Sequence, residues 1–215
     1  MQASTRSAAG LAFWGLMFVV FDLHLGRFDV LSDPIGAAMC LAALGRLQAN
    51  SPHDDRAAWQ TTRLWWVLAV FATGVTQLAV LGGLVPHDTA SMADYPGLYA
   101  VRPTAVVSLL EVVLLPAQFT LIARFRAVAW TPRLTASWDT SRRLLLAIGA
   151  PVTIAAALMD LYMFATGRWV AWSLESGAAS LALIPLIVVL AASLHLLVSL
   201  HRTGKTPDLE PTPAA

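Results

Sequence analysis

Arg124-Phe-Arg-Ala-Val-Ala-Trp-Thr-Pro-Arg-Leu-Thr-Ala-Ser-Trp-Asp-Thr-Ser-Arg-Arg143 sets five arginines between two apolar stretches, 103–124 and 143–165. Short loops rich in arginine stay on the cytoplasmic side when the stretches that flank them cross a membrane. Outward from this loop lie further apolar stretches at 8–26, 34–50, 62–84 and 174–200. Most of the six reach the roughly 20 residues that a bilayer core requires. An even number of crossings puts both ends on one side and sorts the cations into two sets. Arg6, Arg46, Arg56, Arg63, the five of 124–143, Arg202 and Lys205 make one set, eleven of the fourteen, against Arg27, Arg102 and Arg168 in the other. The expected fold is all-α, a polytopic transmembrane bundle of six helices arranged as three hairpins, with both termini cytoplasmic. Residues 1–202 form its single domain. The tail 203–215, with Pro207, Pro211 and Pro213 and nothing apolar to bury, is expected to be disordered.

Composition agrees, since 57% hydrophobic with only 13% charged residues lies outside the balance of a soluble domain. Eight of the thirteen acids, Asp22, Asp29, Asp33, Asp88, Asp94, Glu111, Asp160 and Glu175, fall on the outer side or in the outer leaflet of this topology. The arginines are spread over inner loops where orientation accounts for them, so nucleic acid is excluded as a partner. The lipid bilayer is the expected partner, together with other membrane subunits or a second copy of the chain. Cys40 is the single cysteine, which rules out an intramolecular disulfide. The run 8–21 after Arg6 begins like a secretory signal, but no small-x-small cleavage site follows it, and it is expected to remain as the first helix.

Tryptophans favour the membrane interface. Trp59, Trp65, Trp66, Trp130 and Trp138 mark the inner boundary and Trp169 and Trp172 the outer one, while Trp14 fits neither belt and is expected inside the bundle. A faint echo links Gly26-Arg27-Phe28 to Gly167-Arg168-Trp169, each preceded by an acid, Asp22 or Asp160. A true duplication here would be a parallel repeat about an axis along the membrane normal.

The first turn reads Asp22-Leu-His-Leu-Gly-Arg-Phe-Asp-Val-Leu-Ser-Asp-Pro-Ile-Gly36. Asp33 followed by Pro34 predicts the start of the second helix, because the carboxylate accepts free backbone N–H groups and the missing proline donor costs nothing there. Gly36 and Cys40, then Ala38 and Ala42, place small residues four apart, which lets another helix approach closely. This turn resembles the first hairpin of a bacterial family of small, uncharacterised multi-helix membrane proteins that reads approximately Asp-x-x-x-Gly-x-x-Asp-x-Leu-Pro-Asp-Phe-Ile-Gly-Tyr. The matching residues are Asp22, Gly26, Asp29, Leu31, Asp33, Ile35 and Gly36, and the likeness covers about residues 18–45. The chain departs from the pattern at Ser32, Pro34 and Ala37. The resemblance implies a helical membrane fold in the bacterial cytoplasmic membrane and brings no activity with it.

Chemistry in such a chain should gather around ionisable groups within the membrane, where a charge costs at least ~2.5 kcal/mol. Glu111 lies about eight residues into the fourth stretch, roughly 12 Å at 1.5 Å per residue. Thr104, Ser108, Glu111 and Gln118 share one stripe, and Pro116 can kink the helix beside it. Thr153 and Asp160 share a face of the fifth stretch, Ser173, Ser176 and Ser180 one of the sixth, and Thr73 and Gln77 add polarity from the third. The expected site is an outward-opening polar cavity formed by Glu111, Asp160, Glu175, Asp22, Ser108, Gln118 and Gln77, with Asp33, Pro34 and Gly36 shaping the first turn.

The five histidines are scattered, with His24 and His87 outside, His53 and His201 inside and His195 alone in the inner part of the sixth stretch. No pair has the i, i+4 spacing of a zinc hydrolase, no nucleophile motif or phosphate-binding glycine loop is present, and no cofactor is expected. The leading functional expectation is membrane-embedded binding or transport of a cation, a proton-coupled solute or an amphiphile. The alternative is a non-catalytic accessory or sensory subunit, and the third reading is an intramembrane enzyme acting on lipid or envelope substrates.

Overall fold

The computed structural model describes residues 2–20, 24–25, 28–29, 33–49, 56–84, 105–106, 109–110, 112–166 and 178–205. Among them the fold is helical, with α1 (Gln2–Val20), α2 (Asp33–Ala49), α3 (Arg56–Leu81), α4 (Leu114–Ala127), α5 (Pro132–Thr166) and α6 (Ala178–Lys205). A small antiparallel hairpin bridges α1 and α2, with β1 (His24–Leu25) paired to β2 (Phe28–Asp29) in the register His24 to Asp29 and Leu25 to Phe28.

Each helix packs on the next in sequence, and α6 packs back on α1, so the six close into a ring. Side-chain pairs fix the directions. On α1 and α2, Ser7 meets Arg46 at 3.1 Å, and Cys40 Sγ donates to the Ala12 carbonyl at 3.7 Å. As one helix advances its partner recedes, so the pair is antiparallel. The Arg124 guanidinium of α4 lies 5.2 Å over the Trp59 ring near the start of α3. Phe125 of α4 stacks on Trp138 of α5 with centroids 5.3 Å apart. Phe13 of α1 and His201 of α6 approach to 5.7 Å and close the ring.

Small residues decide where the helices come closest. The buried side of α1 carries Ala8, Ala9, Ala12 and Leu16, and that of α2 carries Ala37, Cys40, Ala43, Leu44 and Leu47. Gly15 and Gly36 meet between them. With alanines facing inward, the bulky Trp14 is turned out and is 56% exposed, set edge-on to Phe13. The expectation that Trp14 packs inside the bundle is therefore corrected.

The arginine-rich connection between α4 and α5 is largely helical rather than a long loop. Thr131 caps α5, its hydroxyl accepting from the Leu134 N–H at 3.2 Å, and Pro132 occupies the first turn, where its missing donor is harmless. From there the helix buries Leu134, Ser137, Trp138, Ser141 and Leu145, a 3.6-residue repeat too polar for hydropathy to register. α5 then passes through a π-helical turn at Leu145–Gly149. At the other side of the connection, α4 begins after a turn at Val112–Val113, because Pro116 has no N–H for the Val112 carbonyl and its ring crowds that carbonyl. α6 runs on to Lys205, past the expected tail boundary, with Thr203 buried and donating to the Ser199 carbonyl at 2.8 Å. Residues 206–215, 167–177 and 85–104 lie outside the described residues, and with them Trp169, Trp172 and the second half of the sequence echo.

Among the described residues two helices, Arg56–Leu81 and Pro132–Thr166, are long and apolar enough to cross a membrane. Only 6% of the most apolar stretch of α5 is buried against protein. On α3, Trp59, Thr62, Trp66, Ala69, Ala72 and Thr73 face the bundle, while Leu64, Val67, Phe71 and Leu78 project outward, Phe71 at 66% and Leu78 at 70% exposure.

Candidate functional site

Antiparallel packing of α5 on α6 brings two polar pairs together, each with a spacing of four residues that puts both members on one helix face. Ser137 and Ser141 come from α5, His195 and Ser199 from α6. Ser137 Oγ lies 2.8 Å from Ser199 Oγ, Ser199 Oγ 3.0 Å from Ser141 Oγ, and Ser141 Oγ 2.9 Å from His195 Nδ1. The three serines are buried, Ser199 completely. Two backbone carbonyls complete the network. Ser141 Oγ reaches the Ser137 carbonyl at 3.2 Å and Ser199 Oγ the His195 carbonyl at 3.0 Å.

These distances allow two complete proton arrangements. With the imidazole neutral and protonated on Nε2, Ser137 donates to Ser199, Ser199 to Ser141 and Ser141 to Nδ1. With the imidazole charged, Nδ1–H donates to Ser141, whose own proton turns to the Ser137 carbonyl while that of Ser199 turns to the His195 carbonyl. A serine hydroxyl has one proton and two lone pairs, so it serves in either state by rotating. Gain or loss of a proton at His195 thus leaves no hydroxyl in the chain without a partner, which would otherwise cost about 1–3 kcal/mol.

A cavity of about 200 Å³ lies further along the same helices, and none of the four chain residues lines it. Its walls are Leu114, Leu115 and Gln118 of α4, Leu145, Gly149 and Thr153 of α5, and Ala192 and Ser193 of α6. Ser193 is two residues from His195, and Leu145 is one turn from Ser141, roughly 3 and 6 Å along the axes. The π-helical turn forms part of the wall. Its wider coil brings Gly149 against Leu145, where a Cβ would meet Leu145 Cδ1 at 2.7 Å. Such turns are frequent at functional sites. Thr153 Oγ1 donates to the Gly149 carbonyl at 2.8 Å, leaving its oxygen lone pairs to accept. The Gln118 amide offers both donor and acceptor.

Of the residues expected at the site, Gln118 lines this cavity together with Thr153. Asp160 is half-buried on α5, seven residues beyond Thr153 on the same helix face and so about 10 Å toward the far end. Gln77 is half-buried on α3 and is not part of the cavity wall. Glu111, Ser108, Glu175 and Asp22 lie outside the described residues. At the first turn, α2 is helical from Asp33 through Pro34, and Gly36 is buried against α1. Among the described residues no three His, Cys, Asp or Glu side chains converge.

His195, isolated in the sequence, is therefore the end of a four-residue chain that sequence reasoning missed. The available signal was the i, i+4 repeat of polar residues on two segments, 137/141 and 195/199. Hydropathy hides it, because 137 and 141 fall in the arginine-rich segment between two apolar stretches. Compared with known families, curated proteins and solved structures, the chain matches none.

Proposed function

We propose that the chain is a six-crossing protein of the bacterial cytoplasmic membrane with both termini cytoplasmic, and that it binds a small amphiphilic solute and passes protons. The membrane placement is supported by the outward apolar faces of α3 and α5, which have the character of a core that no described residue covers. It is supported further by the eleven-to-three division of cations in the sequence. The function rests on one observation, the buried His195–Ser141–Ser199–Ser137 chain between α5 and α6, two helices that also help wall a cavity. A mostly apolar wall with Gln118, Thr153 and Ser193 suits a solute with one hydrogen-bonding group. Asp160, on the Thr153 face of α5, is the acid proposed for the outer part of the path, and the sequence offers Glu111 and Glu175 as further candidates.

The test is proton uptake into proteoliposomes loaded with a pH-sensitive dye and driven by a potassium diffusion potential. Wild type is expected to acidify the lumen faster than empty vesicles, and His195→Ala and Ser141→Ala are expected to abolish the difference. Uptake by wild type no faster than by empty vesicles would sink the proposal.

A second reading, an accessory subunit or homo-oligomer, is favoured by the exposed small residues Ala38, Ala42 and Gly45 on α2, which leave room for a partner helix. In a Cys40→Ser background, Ala42→Cys would cross-link to a second helix under mild oxidation if this face is an interface.

A further inference from the structure

A groove of about 350 Å³ runs between α4 and α5 on the outside of the ring, lined by Phe119, Thr120, Ala123, Arg126 and Arg142. Its two ends differ in chemistry. Phe119, Thr120, Ala123 and Arg126 recur at intervals of one, three and three along one face of α4. From Phe119 to Arg126 the groove descends about 10 Å, from an apolar wall to two guanidinium groups. Arg126 donates through Nε and Nη2 to the Asp139 carboxylate, which fixes its position. That one carboxylate also feels Arg142 and Arg143, so positive charge at this end is in surplus.

We propose that this groove holds an anionic phospholipid of the inner leaflet, its phosphate at Arg126 and Arg142 and an acyl chain along Phe119 and Ala123. The inference rests on the membrane placement argued above, which puts the arginine-rich end at the cytoplasmic surface. The charge gradient selects a lipid over a free anion. A soluble phosphate would use only the exposed arginines, whereas a lipid also covers the apolar half of the groove. A fixed Arg126 beside Arg142 presents N–H groups to phosphate oxygens at little ordering cost. Basic pockets on the cytoplasmic side of membrane helices are suited to such headgroups.

Native mass spectrometry of the full chain released from detergent, titrated with phosphatidylglycerol or phosphatidylcholine, tests the proposal. Wild type is expected to retain one phosphatidylglycerol in preference to phosphatidylcholine. Arg142→Gln is expected to weaken that retention about fivefold, as loss of one interfacial cation implies, and Arg142→Lys to restore part of it. Ala123→Trp keeps both cations but fills the apolar half, and it should weaken retention as well. A membrane-embedded chain that binds both lipids equally, ignores Arg142→Gln, or loses phosphatidylglycerol to millimolar inorganic phosphate would overturn this site and leave the membrane placement standing. A chain extracted from membranes by alkaline carbonate would overturn both.

Discussion

Gly15 of α1 and Gly36 of α2 are in mutual backbone contact: a Cβ on Gly36 would lie 2.5 Å from the Gly15 carbonyl oxygen, and one on Gly15 would lie 2.7 Å from the Gly36 carbonyl oxygen. The obstacle is main chain on both sides, so no side chain can swing away to make room.

Gly36→Ala should therefore force α1 and α2 apart and lower stability by about 1–3 kcal/mol, the usual range for overpacking. Gly45→Ala, on the same helix with open space around it, should raise stability by up to ~1 kcal/mol through helix propensity. Unfolding of the two variants in detergent, followed by circular dichroism, would refute the close-contact reading if they shifted in the same direction.

Ser199 stands at the centre of the hydroxyl chain, bonded on both sides. Ser199→Ala should cost about 1–3 kcal/mol, because Ser137 and Ser141 lose a shared buried partner, and it should also interrupt proton movement. Ser199→Thr keeps the hydroxyl and should recover part of both. Equal proton uptake by Ser199→Ala and wild type would show that the chain is only a packing device.

Asp139 is held below the ordinary carboxyl range, first by its hydrogen bond from Arg126 and then by the surrounding guanidinium charges, and Arg126 is raised in turn. A lowered folded-state value means that the pair's stabilisation is complete above the ordinary carboxyl pKa of 3.8 and is lost as pH falls through the lowered one. The Arg126 value is raised by the same contact, so its contribution is lost only at strongly alkaline pH, outside the working range. Asp139→Asn should remove this component of acid sensitivity. Thermal midpoints of wild type and variant should separate above the ordinary carboxyl pKa and converge as pH falls through the lowered one; parallel curves throughout would show that the pair contributes nothing.

Reporter fusions after Arg56, Arg133 and Lys205 should read cytoplasmic, and fusions near Asp94 and Arg168 external, as the division of cations requires. A cytoplasmic signal at Asp94 would remove the six-crossing topology.

The helices were legible in the sequence where apolar residues are continuous, as in α3, and less so where a helix leaves the apolar zone. The segment 132–144 is amphipathic, and its true period was visible only in the spacing of Leu134, Trp138, Ser141 and Leu145. Gly36 could be read as a point of close approach, but its partner Gly15 could not, since glycine is common and only packing selects one. The partnership of His195 with Ser141 spans 54 residues, a separation across which single-chain spacing carries no information. Gln118 and Thr153 were legible as polar residues on apolar helices, which need either protein or water to face.

The closure of α6 on α1 imposes an order of assembly. The α1–α2 hairpin can form as soon as both segments have been synthesised, since its contacts are local. The Phe13–His201 contact must wait for nearly the whole chain, and a loop of that length closes late. Until then the nascent bundle is an open arc, with the α6-facing side of α1 bare, its cavity missing one wall and His195 not yet paired with Ser141. Interrupted synthesis should therefore yield intermediates that expose this seam to proteases, and the seam is where a newly made chain is most vulnerable.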